Sequence, residues 1–282
     1  MTGTTLAIKT VTLTVNDLDR VSAFYQRAVG LHLLAADATS AQLGTSDTVL
    51  LELRQNRAAR RWQTTDLGLY HTAFLLPTRG DLGRWLNHAI ASNLTIRGSD
   101  HRVTEAIYLT DPEGNGVELY ADRPRSTWQW TNGTVDMTID PLDLDAIRDS
   151  AFPGQWQGVP DGTVVGHLNL NVGSLPEADA FYANVLGFDI TCRLPGASFF
   201  ASGGYHHHLA TNTWRTAGLP GRTEPVTGLA GIELVAQSPS VLDAVRSRVP
   251  ASAATLDQPS VLTVLDPWGL PVSVVTGQHD RR

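Results

Sequence analysis

Apolar and polar positions alternate over Val11-Thr12-Leu13-Thr14-Val15, the period of a half-buried strand, with Val11, Leu13 and Val15 on one face. A polar corner at Asp17 follows, then a helical stretch carrying Ala23-Phe24-Tyr25, and Gly30-Leu31 where the helix should stop. The same order returns downstream as Leu168-Asn169-Leu170-Asn171-Val172, Leu175, Ala180-Phe181-Tyr182 and Leu186-Gly187-Phe188. A step of 157 residues separates both Phe24 from Phe181 and Gly30 from Gly187 (181−24 and 187−30), so the register of the repeat holds.

A second pair of units follows the first of each kind. Gly68-Leu69-Tyr70-His71-Thr72-Ala73-Phe74-Leu75-Leu76 matches Gly228-Leu229-Ala230-Gly231-Ile232-Glu233-Leu234-Val235, and Asp111-Pro112-Glu113-Gly114 matches Asp266-Pro267-Trp268-Gly269, a tight turn between strands. Helices are predicted from about Asp81 to Ser92, with Leu82, Trp85, Leu86 and Ala89 on one stripe, and from about Ser238 to Arg248. The pattern is strand–helix–strands in four units, near 7–57, 68–122, 164–214 and 228–276. The stretch Pro124 to Pro160, rich in Pro, Gly, Trp and Asp, matches none of them and reads as a connector. The expected organisation is units one and two over 1–125, a connector over 126–162, and units three and four over 163–282.

Composition narrows the function classes. The formal net charge of −7 offers no basic surface for nucleic acid or anionic lipid, and no apolar run is long enough to span a bilayer. One cysteine, Cys192, excludes an internal disulfide framework and a Cys-rich metal site. The first nine residues lack a basic segment followed by an apolar one. The expectation is a cytoplasmic protein acting on a small molecule, with no nucleic-acid or membrane partner; a homo-oligomer is compatible with the sequence.

One segment carries most of the chemistry: His101, five residues, Ile107-Tyr108, two residues, Asp111-Pro112-Glu113-Gly114, three residues, Glu118. Together with four βαβββ units bearing Phe-Tyr on the helix and Asp-Pro-x-Gly before the last strand, it resembles the vicinal oxygen chelate superfamily and, within it, the type I extradiol dioxygenases. Ser99 stands where their pattern usually has Gly, Asn, Thr, Ile or Val. The runs Gly68–His71, Tyr120–Pro124 and Gly203–His208 are similar to those of the two-domain catechol 2,3-dioxygenase group.

The resemblance implies an α+β fold, with four βαβββ units forming two modules of curved mixed sheet. It also implies a metal held by His at the start of a unit and Glu on its last strand. Those positions hold Thr10 in unit one, His71 and Glu118 in unit two, His167 in unit three, and Gly231 and Ser273 in unit four. Only unit two paired with unit three completes two imidazoles and a carboxylate: His71, Glu118 and His167. Such a triad suits Fe(II), with Mn(II) as the alternative. The implied reaction is extradiol cleavage of catechol or a substituted catechol by O2. A histidine of the Gly203–His208 run serves as acid and base; alternation counted back from Leu209 places His206 and His208 toward the cavity, with His208 favoured. Tyr108 and His101 are expected to bond the substrate oxygens, and Asn169 to share the cavity face with His167. A glyoxalase-like lyase or isomerase and a non-catalytic ligand-sequestering protein are the alternatives on the same fold; a fourth protein ligand would mark the first, and absence of metal the second.

Overall fold

The computed structural model describes residues 6–250 and 253–277. Unit one runs β1 (Leu6–Val15), α1 (Leu18–Phe24), β2 (His32–Ala36), β3 (Ser40–Gly44) and β4 (Val49–Gln55). Unit two runs β5 (Gly68–Leu75), α2 (Arg79–Ala91), β6 (Arg97–Asp100), β7 (Thr104–Thr110) and β8 (Gly116–Asp122). The connector holds β9 (Trp130–Thr131), β10 (Thr134–Val135), β11 (Asp140–Pro141) and α3 (Leu144–Asp149). Unit three runs β12 (Val164–Asn171), α4 (Leu175–Asp179), β13 (Asp189–Leu194), β14 (Ala197–Ala201) and β15 (Leu209–Asn212). Unit four runs β16 (Gly228–Ala236), α5 (Pro239–Arg246), β17 (Ala254–Gln258), β18 (Val261–Leu265) and β19 (Pro271–Thr276). The fold is thus α+β, four βαβββ units in two sheet modules.

The four units do not pair in chain order. One sheet has the order β17-β18-β19-β16-β1-β4-β3-β2, joining unit four to unit one through antiparallel β1 and β16. The other has the order β11-β6-β7-β8-β5-β12-β15-β14-β13, joining unit two to unit three through antiparallel β5 and β12. Each half of the chain therefore contributes to both sheets.

Alternation decides what each strand buries. Val11, Leu13 and Val15 of β1, and Leu168 and Leu170 of β12, enter the main apolar core, as do Val117 and Leu119 of β8. Each such fully buried side chain stabilises the fold by about 1.5–3 kcal/mol. On the opposite face of the second sheet stand Glu118, Tyr120, His167, Asn169 and Asn171, all buried.

The Phe-Tyr motif locks consecutive units together. Helices α1 and α4 run on as wider π-type turns, Tyr25–Val29 and Ala180–Val185, which carry the tyrosines into the core. The Tyr25 hydroxyl reaches Asp111 Oδ2 at 3.5 Å, and the Tyr182 hydroxyl donates to Asp266 Oδ2 at 3.2 Å. Asp111 Oδ1 accepts from the backbone N–H groups of Glu113 and Asn115, and Asp266 Oδ1 from those of Trp268 and Leu270. Both aspartates of Asp-Pro-x-Gly thus close a turn and receive a tyrosine from the preceding unit.

The connector covers one end of the second sheet. Strand β11 extends that sheet beside β6, and Trp128, Val135 and Met137 form a small core with Val103, Cys192, Ala201 and Tyr205. No described helix is long and apolar enough to cross a membrane.

Candidate metal centre and its surroundings

Strands β8, β5 and β12 lie side by side, with Glu118 opposite Ala73 and Ala73 opposite His167. His71 sits two residues from Ala73 on the same face, opposite Asn169. Three side chains from two units therefore converge. His71 Nε2 lies 3.1 Å and His167 Nε2 3.2 Å from Glu118 Oε2, and the two nitrogens are 3.3 Å apart. Among the described residues, these three form the one group of His, Cys, Asp or Glu side chains with spacing suited to a metal ion.

The donors fit a divalent cation. With metal–ligand distances of about 2.1 Å, an octahedral face has edges of about 3.0 Å and a tetrahedral face about 3.4 Å, which bracket the observed triangle. Burial lowers the His71 pKa to about 3 despite the opposing pull of Glu118, so its ring is neutral with a lone pair to share. Burial alone would raise the Glu118 pKa, but the His167 and His71 rings outweigh it and hold the carboxyl at about 2. Glu118 is 1% exposed, and its Oε1, like Nδ1 of His167, is buried with no hydrogen-bond partner. A buried carboxylate with one oxygen left unbonded is costly, and a bound cation would offset that cost.

Gly166 shapes this face. The pairing of β12 with β5 slips between Val165 and His167, and a Cβ on Gly166 would stand 1.8 Å from the Tyr120 hydroxyl oxygen. The glycine lets the Tyr120 ring lie against His167, with ring centres 4.8 Å apart.

The other expected residues divide into those near the triad and those turned elsewhere. The Tyr108 ring is 5.5 Å from that of His71. His101, half-buried, has Nδ1 2.6 Å from the Thr138 carbonyl and Nε2 2.8 Å from the Tyr108 hydroxyl. A carbonyl only accepts, so Nδ1 carries a proton, which leaves Nε2 as the ring nitrogen that can accept from the Tyr108 hydroxyl. Burial, then the Glu118 charge, pushes the Tyr108 hydroxyl well above its usual range, so it stays protonated. Asn169 is buried beside His71 but spends its Oδ1 on the Asn212 amide at 2.9 Å.

The histidine run departs from the expected geometry. Strand β15 begins only at Leu209, and 203–208 is turn and bend, so strand alternation does not extend back through it. His208 packs on Phe188 and Tyr205, and its Nδ1 accepts from the Ser202 N–H. His206 is fully buried against Trp128 and Tyr205. His207, the middle residue, is the one stacked on His167, with ring centres 4.1 Å apart. Burial, reinforced by the neighbouring His167 and His206 rings, lowers the His207 pKa well below the usual range, so its ring is neutral. The composition of the run signals a site, but the orientation of its members follows from the turn.

Four further side chains around the histidine run escape a reading of motifs alone. The Tyr120 hydroxyl pairs with that of Tyr205 at 2.8 Å, Tyr205 donates to Asp122 Oδ1 at 3.1 Å, and the connector's Trp128 ring covers His206. Tyr120, Asp122 and Tyr205 all lie in the runs noted above; Trp128 lies in the connector, which carries no repeat signal.

With the geometry established, comparison places the chain among known proteins. It is 39% identical over 252 residues to a catechol-2,3-dioxygenase of Bacillus subtilis strain 168, covering 87% of this chain and 88% of the relative. It is 28% identical over 158 residues to a biphenyl-2,3-diol 1,2-dioxygenase of Rhodococcus globerulus, covering 50% of this chain and 81% of that one. The fold is similar to that of maize glyoxalase I, with a TM-score of 0.56 and 18% identity over 96% of this chain and 92% of the other. A family model matches residues 7–119 and again 164–249, once in each half of the repeat. By that double match, the chain belongs to the Glyoxalase/Bleomycin resistance protein/Dioxygenase superfamily.

Proposed function

We propose that the protein is an Fe(II)-dependent extradiol dioxygenase that opens the ring of catechol or a substituted catechol with O2. The observation that carries this reading is the buried triangle of His71, Glu118 and His167, with sides of 3.1 to 3.3 Å. Two imidazoles and one carboxylate on one face would leave the remaining positions of an octahedral ion free for substrate and O2. The relative of Bacillus subtilis, named for this activity and similar over most of both chains, supports it. A glyoxalase-like centre would call for a fourth protein ligand, and the group among the described residues has three members.

Bound here, Fe(II) would hold both catechol oxygens and O2 together and pass electron density between them. The chain's own groups would orient the substrate and move its protons. Tyr108, its proton committed to His101 Nε2, presents oxygen lone pairs to a substrate hydroxyl. His207, neutral and stacked on His167, is placed to take a hydroxyl proton at Nε2 and to return it to the opened product. In this reading His207 replaces His208 as acid and base, while His206 stands behind it.

The test is anaerobic loading with Fe(II), then exposure of a panel of catechols to O2 while watching for the yellow ring-opened product. Glu118→Ala should abolish iron retention, measured by metal analysis after gel filtration, whereas Ser273→Ala in the first sheet should retain one iron per chain. A loaded wild-type protein that consumes no catechol would overturn the proposal.

A further inference from the structure

Behind His207 runs a chain of hydrogen bonds that leads away from the triad. His207 Nδ1 and His206 Nδ1 are 2.7 Å apart, and His206 Nε2 lies 3.0 Å from Asp122 Oδ1. The same Asp122 oxygen accepts from Tyr205, whose own oxygen then accepts from Tyr120. The Asp122 side chain is 24% exposed, whereas His206 is completely buried.

Only one assignment of protons satisfies these contacts with neutral rings. A carboxylate only accepts, so His206 must donate from Nε2. A neutral ring protonated at Nε2 has a bare Nδ1, so the short contact between the two rings requires the proton on His207 Nδ1. His207 is left with a bare Nε2, and among the described residues that atom has no protein hydrogen bond.

We infer that Asp122 is a positioning residue which, through His206, fixes the tautomer of His207 whose Nε2 is free to accept a proton. The inference rests on the proposed role of His207 as the base. When His207 takes a proton at Nε2, its Nδ1–H remains donated to His206, and the Asp122 carboxylate stabilises the new positive charge across the His206 ring. The charge disappears when the same proton passes to the product. Without Asp122, His206 can present either nitrogen to His207, and a fraction of the molecules would carry the proton on Nε2, where it blocks the reaction.

The experiment combines spectroscopy with kinetics. Nitrogen NMR of the chain labelled with 15N-histidine and loaded with diamagnetic Zn(II) should show His207, assigned by its loss in His207→Gln, protonated at Nδ1 and bare at Nε2. In Asp122→Ala the two tautomers should mix, and kcat of the iron-loaded enzyme should fall about 10- to 100-fold with KM and iron content unchanged. His206→Phe keeps a ring against Trp128 and Tyr205 but removes the acceptor, so it should reproduce both effects, and the double variant should be no worse than either. His206→Phe also answers the question if Asp122→Ala fails to fold, as judged by circular dichroism. A wild-type His207 protonated at Nε2, or unchanged kcat in the folded single variants, would overturn the inference. If the wild-type enzyme opens no catechol, the proposed function fails instead, and the spectrum alone decides the tautomer.

Discussion

Asp111 and Asp266 show how a residue's partners, rather than its chemical type, set its role. Each sits buried in an Asp-Pro-x-Gly turn, where a carboxylate could pass for a catalytic group, yet each spends its oxygens on backbone N–H groups and a tyrosine. Burial raises the Asp111 pKa even so, although its hydrogen bonds with Asn115 and Glu113 pull the other way. Removing such an acceptor leaves two backbone donors and the Asn115 amide unsatisfied inside the protein, at about 1–3 kcal/mol for each buried group left without a partner. Asp111→Ala should therefore lower unfolding free energy by at least about 3 kcal/mol, read from urea denaturation. Tyr25→Phe, which gives up one long hydrogen bond and keeps the ring packing, should cost under about 1.5 kcal/mol. At the candidate metal centre the partners again decide: Glu118 Oε1 is buried without a hydrogen bond, so it is free to meet an ion.

Among the elements, β12 and the 203–208 turn behave differently. In β12 the alternation of Leu168 and Leu170 against His167, Asn169 and Asn171 follows from strand geometry. The slip at Gly166 could not be read from it, because a bulge is set by the neighbour that needs the space, here the Tyr120 hydroxyl. Gly166→Ala should displace Tyr120, break its contact with Tyr205 and cost about 1–3 kcal/mol, visible as a lowered Tm. If Tm and activity survive that substitution intact, the close approach of Tyr120 is not needed. The turn offers no period at all. Its two glycines, Gly203 and Gly204, have φ of 63° and 68°, and the backbone that leaves them turns His207 rather than His208 onto His167.

The whole molecule is interleaved, and this has a consequence for cutting it. Residues 1–125 contain the complete unit-one and unit-two patterns, but β1 would lose β16 and β5 would lose β12. Two long strand edges would then be exposed, and the triad would lack His167. Expressed alone, 1–125 should associate or aggregate in gel filtration and retain no iron, whereas the full chain should retain it if the proposed function holds. The sheet of units one and four carries no comparable centre among the described residues. Its Thr12 reaches Glu52, Glu52 pairs with Arg54, and Ser273 shares a hydrogen bond with Thr263.

The repeat, the four units and the three converging side chains of the candidate site are legible in the chain because each rests on local periodicity. A strand's period sends His167 and Glu118 to the face opposite Leu168 and Leu119, and the repeat shows which strand positions correspond. Three-dimensional packing alone settled the rest: that His207 rather than His208 meets the triad, that Asp122 and Tyr205 stand behind it, and that the connector supplies Thr138 and Trp128. Those side chains lie in turns or in the connector, or depend on partners there up to 85 residues away. Where no backbone period exists, direction is chosen by whatever each side chain can bury against or bond to.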